Sequence, residues 1–336
     1  PAFTANAVPE AALDGAVAYT TVLCCGAAGP FLMNAAAAFL KAQGDAWTPL
    51  VLVGAATFVN VALDLVLVGP AGLGVPGAAV ATVAAQGLSA LLALALARRR
   101  FAAGRVLGSG VLAAGLGADV RAVLSVGLPS AVQMAVVNLS YALVTGMLNR
   151  YGVDVAAAAG VGLQISTIAG LPCWAIGQAI TTAAAQCAGA GELARARDVA
   201  RLGARLNIGV TLGIQVLIQL LASAIVGLYG LAQGTSFDIA VLYLRITCSV
   251  NGLFYAAMYS FDSFALGAGS PRLVLANSLI DAFAVRFGLA FLLSGALGLG
   301  YVGIFIAQAA SPVIPALIGG AYLRHWTRSR GVERSK

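Results

Sequence analysis

Asn60 and Asp64, four positions apart, and Thr82 beyond them are the residues of this chain best suited to chemistry. Four residues make about one helical turn, so Asn60 and Asp64 share a helix face. Their amide and carboxylate oxygens, with the Thr82 hydroxyl, would offer hard oxygen ligands to Na⁺. Alternatively, a buried carboxyl would take up H⁺, because desolvation disfavours the charged form. Asp64 lies about five residues below one end of its apolar segment, and Thr82 about six below the facing end of the next. Antiparallel neighbours would therefore hold both roughly 8 Å down. The competing reading is an aspartate hydrogen-bonded to Asn60 and Thr82 for packing alone.

Four further ionisable residues fall within apolar stretches: Arg245, Asp262, Asp281 and Arg286. Charged groups are expensive in lipid, so each should face the interior of a bundle or a partner. Asn277 and Asp281 repeat the Asn-x-x-x-Asp spacing, but 217 residues on, out of step with the internal repeat described below. They are not read as a copy of the first pair. Asp281 and Arg286 are five apart, a poor spacing for an α-helical pair, and are expected to form a structural ion pair. Gln133, Asn138, Gln164, Gln178, Asp262, Asp281 and Arg286 are candidates to line a cavity for an amphiphilic ligand. The amides could equally join helices to one another.

Other chemistries find no machinery. There is no P-loop, GxSxG, HExxH or Cys/His metal spacing, so no enzyme activity, cofactor or metal site is expected beyond a coupling ion. The five cysteines all lie in apolar stretches and read as small buried hydrophobes. Pro30, Pro129 and Pro172 should bend the helices that carry them.

The elements that must position these residues are membrane helices. Of 336 residues, 60% are hydrophobic and 9% charged, with mean hydropathy +0.94. Soluble domains are roughly a quarter charged. Nine apolar segments, at 15–40, 48–69, 76–97, 122–148, 155–187, 205–230, 239–266, 272–296 and 300–323, have about the length of a bilayer-spanning helix. Their continuous apolar runs exclude barrel strands, which alternate. Alternate connections and the C-terminal tail hold 16 of the 19 Lys and Arg, including Lys41, Arg98, Arg121, Arg197 and Arg328. Positive charge marks the cytoplasmic side, so a multi-pass protein with basic loops and C-terminus inside is expected, most simply in the plasma membrane. That placement also accounts for the net charge of +7 without nucleic acid as a partner.

Arg98 to Arg121 divides the chain. A partial N-terminal lobe of three helices (1–97), a basic cytoplasmic linker (98–121), a six-helix C-terminal lobe (122–323) and a basic tail (324–336) are expected. The first three helices resemble the last three at offsets of 224 to 226 residues. Ala18-Tyr19 matches Leu242-Tyr243, Gly44 matches Gly269, and Gly72-Leu73-Gly74 matches Gly298-Leu299-Gly300. Duplicated bundles are common in transporters. Extending the repeat, nine helices are the last nine of an expected twelve, with an upstream portion absent ahead of Pro1.

Leu40-Lys41-Ala42-Gln43-Gly44-Asp45 followed by Pro49, and Gly72-Leu73-Gly74-Val75-Pro76-Gly77-Ala78-Ala79-Val80-Ala81-Thr82, resemble the multidrug and toxic compound extrusion (MATE) family. So do Gly127-Leu128-Pro129-Ser130, Gly177-Gln178-Ala179-Ile180 and Gly189-Ala190-Gly191. The resemblance implies an all-α, two-lobe helical bundle exporting drugs or organic metabolites, expected to be cationic, against H⁺ or Na⁺ by alternating access. In the family's DinF-like branch, residues matching Asn60, Asp64 and Thr82 form part of the N-lobe cation site, completed by a first-helix carboxylate that this chain does not contain. The partners expected are the lipid bilayer and a small organic substrate, with the protein a monomer. The alternatives are a lipid-linked oligosaccharide flippase of related fold, or a non-functional truncated copy. A flippase cavity should present several cationic side chains, and only Arg245 and Arg286 are candidates.

Overall fold

The computed structural model describes residues 10–103, 116–231, 233–249 and 251–329. Among these residues there is no strand. Eleven helical segments follow in order: α1 Glu10–Cys25, α2 Ala28–Ala42, α3 Trp47–Val68, α4 Gly74–Ala103, α5 Leu116–Asn149, α6 Val153–Gly189, α7 Leu193–Leu228, α8 Thr235–Thr247, α9 Asn251–Gly267, α10 Pro271–Ala296 and α11 Gly300–Ser329. Seven are long and apolar enough to cross a membrane, and nine spans result when the bent pairs α1–α2 and α8–α9 each count as one. Helices suit this solvent because they satisfy their own backbone hydrogen bonds.

The chain forms two compact units, Pro1–Leu116 and Gly117–Lys336. Helical structure reaches into the stretch read as a linker. Arg98 and Arg99 continue α4, and Arg121 lies in the first turns of α5. Residues 104–115, with Arg105, and residues 330–336 of the tail lie outside the described residues.

In the first unit α1, α2 and α3 all pack on α4. Ala90 and Ala93 of α4 are buried against Met33, Ala36 and Leu52. The expected single helix over 15–40 is instead bent by 45° between Cys25 and Ala28. Pro30 explains the break, because its ring excludes the carbonyl four residues back and it has no N–H to continue the ladder.

The second unit is built on α6 and α9, with α7, α8 and α11 packed against them. One stripe of α5 is buried, at Ser140, Val144 and Leu148, one residue in four. Much of its remaining surface is apolar and exposed, as at Leu128 and Met134, which suits contact with lipid tails. The segment expected as one helix over 239–266 is broken into α8 and α9 with no proline nearby. Gln219 of α7 compensates, its Nε2 donating to the carbonyls of Arg245 (3.1 Å) and Cys248 (2.9 Å), and Asn251 Nδ2 donates to Thr247 (3.0 Å). Carbonyls left open at a helix end need such donors.

The basic helix ends of this unit share one end of the bundle. Ala196 and Ala200, interleaved with Arg195, Arg197 and Arg201, are buried with Ile180, Phe264 and Trp326. Trp326 in turn lies between Arg324 and Arg328. Around Arg150 the contacts are different ones. Ser236 Oγ donates to Asp154 Oδ1 at 2.6 Å, and the rings of Tyr151 and Tyr301 lie 6.2 Å apart.

The internal repeat holds at the level of backbone conformation. Gly44 and Gly269 have φ of 85° and 81°, Gly72 and Gly298 64° and 67°, Gly74 and Gly300 54° and 58°. All are in the left-handed region, where a Cβ is strained. The turn bonds repeat as well. Asp45 N to Leu40 O matches Ser270 N to Ala265 O, and Leu73 N to Leu67 O matches Leu299 N to Leu293 O. The offset is 225 residues at the first pair of turns and 226 at the second. Within α10, between those turns, Ile280–Phe287 is a π-helix. Its i→i+5 bonds enclose one residue more than α-helical bonds, the kind of insertion that moves the offset from 225 to 226.

Candidate functional site

Each unit contains one polar cavity described here. The cavity of the first unit, about 220 Å³, is lined by residues of α2, α3 and α4, among them Asn34, Asn60, Thr82 and Ser89. Asn60 Nδ2 donates to Thr82 Oγ1 at 3.3 Å, and Thr82 Oγ1 donates to Ala78 O at 3.0 Å. The antiparallel packing of α3 on α4 therefore sets these two residues at one depth. Asp64 does not line the cavity. It sits one turn further along α3, half-buried, and its Oδ1 is enclosed without a hydrogen-bond partner. The structure thus joins Asn60 to Thr82 and leaves Asp64 beside them with an unsatisfied acceptor, a costly arrangement in an apolar setting.

The cavity of the second unit is larger, about 390 Å³. Its one charged lining residue among those described is Arg286, on the π-turn of α10. Arg286 Nη2 donates to Asp281 Oδ2 at 2.6 Å and to Ser311 Oγ at 3.4 Å, and the guanidinium lies 4.5 Å from the centre of the Tyr141 ring. Both members of the ion pair are buried, at 7% and 6% side-chain exposure. A spacing of five residues would be poor in an α-helix. The π-turn, with i→i+5 bonds, brings the two side chains to one face. Nη1 of Arg286 and Oδ1 of Asp281 remain without partners.

Of the other residues proposed as lining, Asn138 borders this cavity, its Nδ2 donating to Met134 O at 2.8 Å. Gln133, Gln164 and Gln178 do not line it, and neither do Asp262 and Asp281. Gln164 and Gln178 are exposed on α6 and Gln133 is half-buried. Helical phase is the reason. Ile165 and Cys173 turn the opposite way from Gln164 and are buried in the core. Asp262 is buried on α9, where Asn277 Nδ2 donates to its Oδ1 at 2.7 Å. Asn277 therefore serves Asp262 on a neighbouring helix, not Asp281 on its own. Arg245 is exposed. The site residues that spacing did not reveal are aromatic or neutral. Trp174 Nε1 donates to Tyr255 Oη at 2.6 Å, and Tyr243 Oη donates to Gln308 Oε1 at 3.0 Å, all four lining the cavity.

The MatE family model matches residues 129–292. The probable multidrug resistance protein YoeA of Bacillus subtilis is 30% identical over 330 residues, spanning 96% of this chain and 70% of the relative. The chain belongs to the MatE family. A second relative, the probable multidrug resistance protein NorM of Thermotoga maritima, is 25% identical over 301 residues, 87% of this chain and 63% of that protein. The crystal structure of the Vibrio cholerae MATE transporter VcmN in its bent form shares the fold, with a TM-score of 0.84 and 20% identity over 98% of this chain and 74% of that one. This chain thus spans between about three fifths and three quarters of the proteins it matches. It is an integral membrane protein of a transporter family, as the MatE match and its apolar helices establish together.

Proposed function

We propose that this MatE-family chain acts in secondary active export of drugs or organic metabolites, with H⁺ or Na⁺ entering at Asn60, Asp64 and Thr82. The observation that carries the coupling site is the Asn60–Thr82 contact with the enclosed, unpartnered Asp64 Oδ1 one turn away. A proton or a sodium ion is what would satisfy that oxygen. Export of organic compounds is supported by the multidrug resistance proteins to which the chain is similar. In this reading the protein works as a monomer in the plasma membrane. The basic helix ends of the second unit, at Arg197 and Arg328, then face the cytoplasm, where positive charge is retained.

A flippase reading is weaker on physical grounds. Of its two cationic candidates, Arg245 is exposed and Arg286 is already paired with Asp281. The test of the coupling site is Asp64→Asn in everted vesicles. Ion-driven efflux should be lost while the amount of protein in the membrane is unchanged. Efflux that still collapses the ion gradient as the unaltered protein does would remove Asp64 from the mechanism.

A further inference from the structure

We propose that the cavity of the second unit selects an aromatic compound bearing a carboxylate, which the unpartnered Nη1 of Arg286 receives. The sequence leads to an organic cation as substrate, and the chemistry of this cavity points the other way. Its lining includes no acidic side chain among the described residues, so a cationic ligand would find no counter-charge. It does include a buried guanidinium with one nitrogen unused. A guanidinium presents five N–H donors in a planar fork and can bridge two carboxylates. Asp281 lies behind the arginine, outside the lining, and occupies Nη2 only. The Tyr141 ring covers a face of the guanidinium, which leaves its edge for an incoming acceptor. Trp174, Tyr243 and Tyr255 supply aromatic walls. A volume of about 390 Å³ falls within the range of small-molecule pockets, roughly 300–1,000 Å³.

The repeat supports the assignment independently. Arg286, Gln308 and Ser311 lie 226 residues after Asn60, Thr82 and Ala85, and both sets line the cavity of their own unit. The two cavities are therefore copies of one architecture. At the position where the first copy carries a neutral amide, the second carries an arginine. Packing alone is met by the amide, so the exchange to arginine marks a different ligand.

Calling the occupant a substrate rests on the proposed export function; its binding does not. The test is equilibrium dialysis of the purified full chain against 2-naphthoate, its methyl ester and 2-naphthylmethylammonium. The naphthoate should bind about tenfold to a hundredfold tighter than the other two, the range for hydrogen bonds to a charged group. An ammonium probe that binds as well or better would overturn the proposal. Asp281→Asn removes the competing carboxylate, so naphthoate should bind it more tightly and raise its unfolding temperature; unchanged or weaker binding would count against the site. If that variant does not fold, the double variant Asp281→Asn/Arg286→Met, which buries no charge, still decides. It should bind naphthoate no better than the ester, and retained preference for the acid would refute the role of Arg286. Loss of coupling in Asp64→Asn vesicles reads the export function separately and leaves this binding result untouched.

Discussion

Removing one partner of the Asp281–Arg286 pair should destabilise the second unit far more than removing both. The pair is buried, with a 2.6 Å contact on the π-turn of α10. Arg286→Met strands the Asp281 carboxylate away from water, and Asp281→Asn strands the guanidinium. An uncompensated buried charge costs about 3–5 kcal/mol. At about 2–4 °C per kcal/mol for a unit of this size, each single variant should lose about 6–20 °C in unfolding temperature. The double variant exchanges the pair for neutral groups, and Met can keep a sulfur–aromatic contact with Tyr141. Replacing both members of a buried pair is often neutral, so the double variant should lie within about 5 °C of the unaltered protein. The assay is thermal unfolding of the four proteins in one detergent, followed by tryptophan fluorescence. Single variants that lose under about 2 °C, or a double variant as unstable as the worse single one, would refute the reasoning. Either result would mean that the pair is hydrated and that its charges are not balanced chiefly by each other.

Gly162→Ala should also destabilise the second unit, because a Cβ there would meet the Tyr243 ring at 2.3 Å. Overpacking of this kind costs about 1–3 kcal/mol, so the unfolding temperature should fall by several degrees, and an unchanged value would show that α6 and α8 can separate freely. Asn60→Ala removes only a 3.3 Å contact on a half-buried helix face. It should leave thermal stability within about 1 kcal/mol while weakening ion-coupled efflux, whereas a large loss of stability would assign Asn60 to packing. Single cysteines introduced beside Arg99 or Arg197 should react with an impermeant maleimide only in everted vesicles. Labelling from intact cells would reverse the proposed orientation.

The sequence by itself determined the class of structure, the number of spans and the grouping of basic helix ends. These follow from composition, since about twenty apolar residues must span a bilayer as a helix and charge must collect where helices leave it. It also determined the repeat, because turns that demand a left-handed residue show in the sequence as glycine. Gly44 and Gly269, Gly72 and Gly298 are legible without coordinates for that reason. Pairing across helices was only partly legible. Asn60 and Thr82 could be brought together by counting from helix ends, since α3 and α4 are regular and joined by a short turn.

Only the tertiary structure decided the second unit. Counting in steps of 3.6 residues separates Asp281 from Arg286 and joins Asn277 to Asp281. A π-turn reverses the first result, and the packing of α9 on α10 hands Asn277 to Asp262. The break between α8 and α9 was equally hidden, because the side chains that stabilise it include Gln219, far away on α7. Periodicity carries information along one helix, while an extra residue in a turn and a donor from another helix are settled only when the helices meet. The arginine-lined cavity depends on both, so it is a property of the fold and not of any one segment.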